Sequence, residues 1–186
     1  MSKETLRREI RRLKQQYTPS QLEELSGPII ARLRPLLSDA RVVLAYYSLP
    51  DEVFTHQLVD DLVAEGKTVL LPKVLDATTM ELRHYTGPHD LAPGPFGILE
   101  PTGSHYSPSS LLTPPSSKTI DVALSPGVAF DALGHRLGRG RGYYDRFLHY
   151  QLSIIHCPLL LGLCFDFQKV PSVPVDPTDI PVNQVI

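Results

Sequence analysis

RVVLAYYSLPDEVFTHQLVDDLVAEGKTVLLP, residues 41–72, is the stretch that decides the fold. Arg41 to Tyr47 (RVVLAYY) is rich in β-branched and aromatic residues and almost continuously apolar, the pattern of a strand covered on both faces. Ser48 to Phe54 then makes a loop. Thr55 to Glu65 carries Leu58, Leu62 and Val63 inward at helical spacing, and Gly66 closes this helix because glycine readily adopts the left-handed conformation found at helix ends. Thr68 to Pro72 is the next strand. Strand, helix, strand in this order is a parallel βαβ unit, since parallel neighbours need a long crossover and a helix supplies it.

On the N-terminal side, Leu6, Ile10, Leu13 and Tyr17 recur at helical spacing, so Lys3 to Tyr17 is expected to be an amphipathic helix. Lys3, Arg7, Arg11 and Lys14 form an adjoining basic stripe, which taken alone reads as a solvated face. Thr18, followed by Pro19 and by Gln21 three residues on, starts a second helix. Leu22, Leu25, Ile29, Leu33 and Leu36 keep its phase, and Gly27-Pro28 is expected to kink or interrupt it because proline lacks a backbone donor. On the C-terminal side, Met80 to Tyr85 reads as a more exposed strand. Thr86 to Lys118 is a long loop region crowded with proline, glycine and serine, with Pro95 to Pro101 as one ordered piece. Ile120 to Ser125 and Leu159 to Phe165 complete the buried strands. The expectation is a single α/β domain over residues 1–186. It is a three-layer α/β/α arrangement with a central, mainly parallel sheet, helices on both faces, and ligand sites formed by loops at one sheet edge.

The composition narrows the function. With 42% hydrophobic and 20% charged residues, the 186-residue chain has enough apolar content for its own core. A formal charge of −2 and a pI near 6.4 argue against a general binder of nucleic acid or acidic membranes, so any anion site must be local. Cys157 and Cys164 each lie in apolar surroundings and read as small buried hydrophobes. No apolar leader opens the sequence and no run approaches the roughly 20 apolar residues of a membrane span. The expected partner is therefore a small molecule, with no nucleic acid, no membrane and no obligate protein partner, in the cytoplasm.

The segment with the clearest chemistry is Gly134 to Arg146, GHRLGRGRGYYDR. Closely spaced glycines let backbone amides approach phosphate oxygens, a following helix start adds its dipole, and the arginines add charge. No Walker A pattern is present, and no strand runs directly into a dinucleotide fingerprint. A disordered arginine-glycine tail is disfavoured by the strand and helix patterns on either side. His135 reads as an exposed loop residue rather than a base. Asp131 reads as the residue that fixes the turn, because aspartate bonds nearby backbone amides.

Ser125-Pro-Gly-Val-Ala-Phe-Asp131-Ala-Leu-Gly-His-Arg136-Leu-Gly-Arg-Gly-Arg-Gly-Tyr-Tyr-Asp145-Arg resembles the signature of the 5-formyltetrahydrofolate cyclo-ligase (5,10-methenyltetrahydrofolate synthetase) family. Matches in order along the chain are Lys3-x-x-x-Arg7, Tyr47-Ser-Leu-Pro-Asp-Glu52-Val-x-Thr55, Leu71-Pro-Lys73, Pro95-Phe-Gly-Ile-x-Glu100-Pro and Val173-Pro-Val-Asp-x-x-Asp179. The resemblance implies conversion of 5-formyltetrahydrofolate to 5,10-methenyltetrahydrofolate with ATP and Mg2+, releasing ADP and phosphate. In that scheme the formyl oxygen takes the γ-phosphoryl group and N10 closes the ring, expelling phosphate. Such chemistry rests on positioning and charge stabilisation.

By the same resemblance, Lys3 and Arg7 contact ATP, together with the loop Arg136, Leu137, Gly138, Arg139, Gly140, Arg141, Gly142, Tyr143 and Tyr144. Arg11 and Lys14 keep the solvated reading. Asp145 and Asp179 are implied magnesium carboxylates, and Arg141, Tyr144 and Asp145 the catalytic group. Tyr47 and Glu52 correspond to folate-site positions, with Phe96, Tyr143 and Tyr144 as walls for the pterin ring. The sequence departs from the family in carrying Asn183 and Gln184 where an acidic pair is expected, and Phe96 where some members have tryptophan. Two other readings of the loop are a sugar-phosphate or coenzyme A ester enzyme on a related fold, and a small RNA-binding module using Arg136, Arg139 and Arg141.

Overall fold

The computed structural model describes residues 2–76, 79–94, 99–106, 120–140, 142, 144 and 159–186. Helix α1 (Lys3–Lys14) starts where the Ser2 hydroxyl accepts from the Thr5 amide, and it buries Leu6 and Ile10. It ends before Tyr17, because the amides of Gln16 and Tyr17 turn back to Leu13 and Lys14 in a tighter turn. Helix α2 (Pro19–Leu33) begins on a reciprocal capping box between Thr18 and Gln21, with bonds of 3.2 and 2.8 Å.

Of the two outcomes expected at Gly27-Pro28, interruption does not occur: α2 runs through it as one helix. Proline removes a single helical donor there, while Leu22, Ile29 and Leu33 remain buried in one core on either side of it. Tertiary burial therefore outweighs the local penalty. Ser26 adds an anchor: its hydroxyl donates to the Leu22 carbonyl at 2.7 Å and accepts from the Phe54 amide at 2.9 Å.

The central sheet contains β1 (Val42–Leu44), β2 (Thr68–Val74), β3 (Met80–Tyr85), β6 (Val122–Pro126), β9 (Leu159–Leu163) and β10 (Gln184–Val185). Their order is β10-β9-β6-β1-β2-β3, and only β2 with β3 is antiparallel. Helix α3 (His56–Ala64) makes the crossover from β1 to β2, burying Leu58, Val59 and Leu62, and Gly66 follows it at φ +80°. The pattern missed Val59, while Val63 is only partly buried. Strand β1 is shorter than Arg41 to Tyr47 because the chain is diverted: the Thr55 hydroxyl donates to the Tyr46 carbonyl at 2.6 Å. Ser48 and Thr55 also exchange amide-to-hydroxyl bonds, both 3.1 Å.

Alternation along the strands sends Val43, Val69, Leu71 and Leu124 into the core beneath α2 and α3. Leu44, Leu70 and Ala123 face the opposite side, with Phe130, Cys164 and Val182. Phe130 belongs to a short hairpin, β7 (Ala129–Phe130) with β8 (Arg136–Leu137), and is fully buried. A methyl group at Gly162 in β9 would stand 2.4 Å from its ring, and one at Gly127 would stand 2.5 Å away. Phe130 is thus seated between two positions that have room only for hydrogen.

A second ribbon, β4 (Leu91–Pro93) with β5 (Leu99–Pro101), gives part of the Thr86 to Lys118 region regular structure. Lys67 ties the turn after α2 to the start of β2 by donating to the carbonyls of Leu37, Ser38 and Ala40 at 2.9, 2.9 and 2.8 Å. Asn183 and Gln184 serve the sheet here: Asn183, just before the strand, exchanges bonds with the Leu160 backbone, and Gln184 opens β10. Cys164 is a buried free thiol, and burial pushes it up to about 12. Cys157 lies outside the described residues, as do the pieces 95–98 and 107–118 of the long loop. Among the described residues no helix is long and apolar enough to cross a membrane.

Candidate functional site

From β1 the chain moves to β2 on one side, whereas β6 pairs on the other side of β1 and leads on to β9. In a parallel sheet such a reversal opens a crevice at the carboxyl ends of the two strands. The loops after β1 and β6 carry Tyr47 and Glu52 and the glycine-arginine segment, while Lys3 and Arg7 come from α1 and Asp179 from the C-terminal segment. The candidate site is thus at the carboxyl edge of the sheet, by the point where the strand order reverses.

The loop after β6 is shaped by Asp131. Its Oδ1 accepts from the amides of Leu133 and His135, both at 3.0 Å, and its Oδ2 accepts from the Val173 amide at 2.9 Å. Burial alone would push this carboxyl up, but these bonds and His135 outweigh it and hold it below the usual range. The turn-fixing role read from sequence is present. His135, however, is not an exposed loop residue: it is partly buried, with Nδ1 2.9 Å from Asp131 Oδ2. Its ring folds back onto the carboxylate that organises its own turn.

Beyond β8 the loop meets α1. Arg136 is only 4% exposed, with a guanidinium nitrogen 3.3 Å from the Pro126 carbonyl and its centre 5.6 Å from the middle of the Tyr144 ring. Leu137 is buried against Leu6 and Ile10. Arg7 Nε donates to the Gly138 carbonyl at 2.9 Å. Gly140 has φ +107°, and a methyl group there would stand 3.5 Å from the Arg7 guanidinium carbon. Gly142 also takes positive φ, +64°. Beside them the Lys3 ammonium bonds Asp176 at 2.7 Å and makes a shorter contact with Asp179. Burial opposes ionisation of Asp179, but Lys3 and the Asp176 amide keep its carboxyl below the ordinary range. Lys3, Arg7, the glycine loop and Asp179 are thus one neighbourhood.

Arg139 turns the other way, toward the loop after β1. It bonds Glu52 Oε1 through Nε at 3.0 Å and through a terminal nitrogen at 2.9 Å, and that nitrogen also bonds Asp51 at 2.6 Å. Glu52 Oε2 accepts from the Leu49 amide at 3.0 Å. Lys14, expected to be solvated, is 9% exposed and donates to the Asp51 carbonyl at 2.5 Å and carboxylate at 3.1 Å. Its burial lowers its pKa even with Asp51 alongside. The helix period did not reveal this, because Lys14's partner lies in a loop 37 residues away.

Tyr47 and Glu52 line one cavity of about 340 Å³, with Phe54, His56 and Leu99. The Tyr47 ring lies on the His56 imidazole, centroids 3.6 Å apart and planes 11° apart. Phe54 and His56 were not singled out from sequence; their position flanking a loop after a buried strand is the signal that could have found them. A second cavity of about 360 Å³ lies against Arg7, Lys14 and Arg139, with Ile10 and Leu22 in its wall. Tyr144 is half-buried, and burial, then the Glu52 charge, push its phenol well up. Arg141, Tyr143, Asp145 and Phe96 lie outside the described residues.

The donor set suits a polyphosphate: two cations on α1, Lys3 held by Asp176 and Asp179 and Arg7 held on the Gly138 carbonyl, flank backbone bare of side chains at Gly138 and Gly140. Asp179 offers the hard oxygen that magnesium prefers, and magnesium commonly needs only one or two protein carboxylates beside phosphate and water. Among the described residues no group of three or more His, Cys, Asp or Glu is assembled for a metal. Arg136 is buried and Arg139 is paired with two carboxylates, so two of the three arginines of the RNA-binding reading do not form an open basic face.

Comparison with known proteins gives a consistent result. The sequence pattern described as "5-formyltetrahydrofolate cyclo-ligase family" matches residues 1–186. A 5-formyltetrahydrofolate cyclo-ligase from Saccharomyces cerevisiae is 32% identical over 209 residues, covering 100% of this chain and 94% of its own length. The protein of the same name from Escherichia coli K12 is 31% identical over 185 residues, covering 95% of each chain. The solved structure of Aquifex aeolicus 5,10-methenyltetrahydrofolate synthetase superposes with a TM-score of 0.79 at 31% identity, covering 100% of this chain and 89% of that one.

Proposed function

The chain belongs to the 5-formyltetrahydrofolate cyclo-ligase family and is an enzyme, and from that premise we propose that it closes 5-formyltetrahydrofolate to 5,10-methenyltetrahydrofolate at the crevice between β1 and β6, using ATP and Mg2+. The observation that carries the nucleotide part is the bond from Arg7 to the Gly138 carbonyl, which seats a cationic helix face on side-chain-free backbone. ATP would supply the phosphoryl group that turns the formyl oxygen into a leaving group.

Lys3 and Arg7 would hold the phosphates with residues 136–144, and Asp179 with Asp145 would hold the metal. The cavity walled by Tyr47, Phe54 and His56 suits a flat ring by stacking, and Glu52 at its rim suits the ring's N–H groups. Phe96, Tyr143 and Tyr144 would complete that wall. Arg141, Tyr144 and Asp145 would act on the transferred group, where fixed positive charge stabilises the developing negative charge without reorganisation. The cytoplasm is the compartment we assign, which suits the buried free thiol of Cys164.

The deciding experiment follows methenyl-folate absorbance with purified protein, 5-formyltetrahydrofolate, Mg2+ and ATP, against a control without ATP. ATP-dependent product is expected. Folded protein that binds ATP yet makes no product would sink the folate assignment, and failure to bind ATP would sink the phosphate site as well. Arg141→Ala and Asp145→Ala are expected to lower turnover by at least about 100-fold while the protein stays folded, the scale of losing one positioned charge in a transition state. Unchanged turnover in both would remove these residues from the mechanism.

A further inference from the structure

We propose that Lys14 is a positioning residue for this reaction: through Asp51 and Arg139 it fixes the loop bearing Glu52 against the glycine loop, setting the two substrate sites in register. The inference rests on the function proposed above. Arg7 and Lys14 lie about two turns apart on α1, which places them on nearly the same face. Arg7 grips the glycine loop at the Gly138 carbonyl, at 2.9 Å. Lys14 grips the loop after β1 at both the carbonyl and the carboxylate of Asp51. One rigid helix therefore holds both walls of the crevice.

The walls are also cross-linked to each other. Asp51 offers Oδ2 to Lys14 and Oδ1 to Arg139, so it relays the helix to the glycine loop. Arg139 in turn bonds Glu52 Oε1, while Oε2 is tied to the Leu49 amide of its own loop. Both Glu52 oxygens are thereby held, one by each side of the crevice. Taking the Lys14 ammonium out of water is costly, and its partner Asp51 is 43% exposed, so the pair adds little net stability. That balance suits a residue whose effect is on alignment.

Lys14→Met removes the ammonium and keeps much of the stem. It should lower kcat about 10- to 100-fold, the scale of a misalignment near 1 Å. Dissociation constants measured separately for a non-hydrolysable ATP analogue and for 5-formyltetrahydrofolate should change by less than about threefold, because the Lys14 ammonium is engaged by Asp51 and not by either ligand. Lys14→Arg should restore most of the turnover, since guanidinium can still pair with Asp51. Asp51→Asn should lower kcat comparably, and the double variant Lys14→Met with Asp51→Asn should lose little more than either alone, as members of one relay do. If Lys14→Met does not fold, Asp51→Asn carries the same test. Normal kcat in a folded Lys14→Met or Asp51→Asn variant, multiplicative losses in the double variant, or ligand affinity falling in step with kcat would each overturn the proposal. A wild-type protein with no cyclo-ligase turnover would fail the functional reading instead.

Discussion

Asp131 shows how much a single carboxylate can organise. It gathers three backbone amides from two segments and the ring of His135. Asp131→Asn keeps the shape and removes the charge, so it is expected to lower stability by about 1–3 kcal/mol at neutral pH. The sign of the pH dependence follows from the depressed folded-state pKa. The carboxylate's contribution is fully present above its unfolded pKa, about 3.9, and is lost as pH falls through the folded value. The melting-temperature gap between wild type and Asp131→Asn should thus narrow as pH drops from neutral to below that range; a constant gap would refute the charge-based account. The turn was legible in sequence because Asp131 acts largely on its near neighbours. Lys14 was not, because a lone lysine on a helix looks the same in sequence whether it meets water or, as here, a carbonyl 37 residues away.

At the scale of elements, local chemistry was legible and competition between local and distant terms was not. The Thr18 capping box and the Gly66 helix end both needed only a few consecutive residues to be read. The continuity of α2 through Pro28 was of the other kind, since the residues that hold α2 together there are packed on the sheet. Strand β1 was overestimated for a similar reason: its apolar run continues, but Thr55 takes the Tyr46 carbonyl away from the ladder. Lys67 offers a test of how a side chain joins elements. It satisfies three carbonyls at the junction of α2 and β2, and Lys67→Met is expected to cost about 1–3 kcal/mol, since hydrogen bonds to charged groups carry roughly that net weight. Chemical denaturation should show the loss with kcat unaltered, because the junction lies away from the crevice. Unchanged stability would mean that water replaces the ammonium without penalty.

At the scale of the whole molecule, the parallel sheet was legible from one βαβ unit, while the strand order was not. Nothing local specifies that β6 sits beside β1, yet that adjacency makes the crevice and brings Glu52 to Arg139 across 87 residues. The glycine motif announced a phosphate loop, but its two directions, toward Lys3 with Asp179 and toward Asp51 with Glu52, appear only once the chain is folded. The packing of Phe130 joins this architecture to the site, for the residue after it is Asp131. Gly162→Ala is expected to destabilise the protein by about 1–3 kcal/mol through overpacking, and Phe130→Leu in that background should recover part of the loss. A double variant no better than the sum of the singles would show that the ring is not the obstacle. In evolutionary terms, positions 127, 130 and 162 should then drift as a unit: lineages that enlarge either glycine are expected to have first shrunk the ring, a historical order that reconstructed ancestral sequences can check.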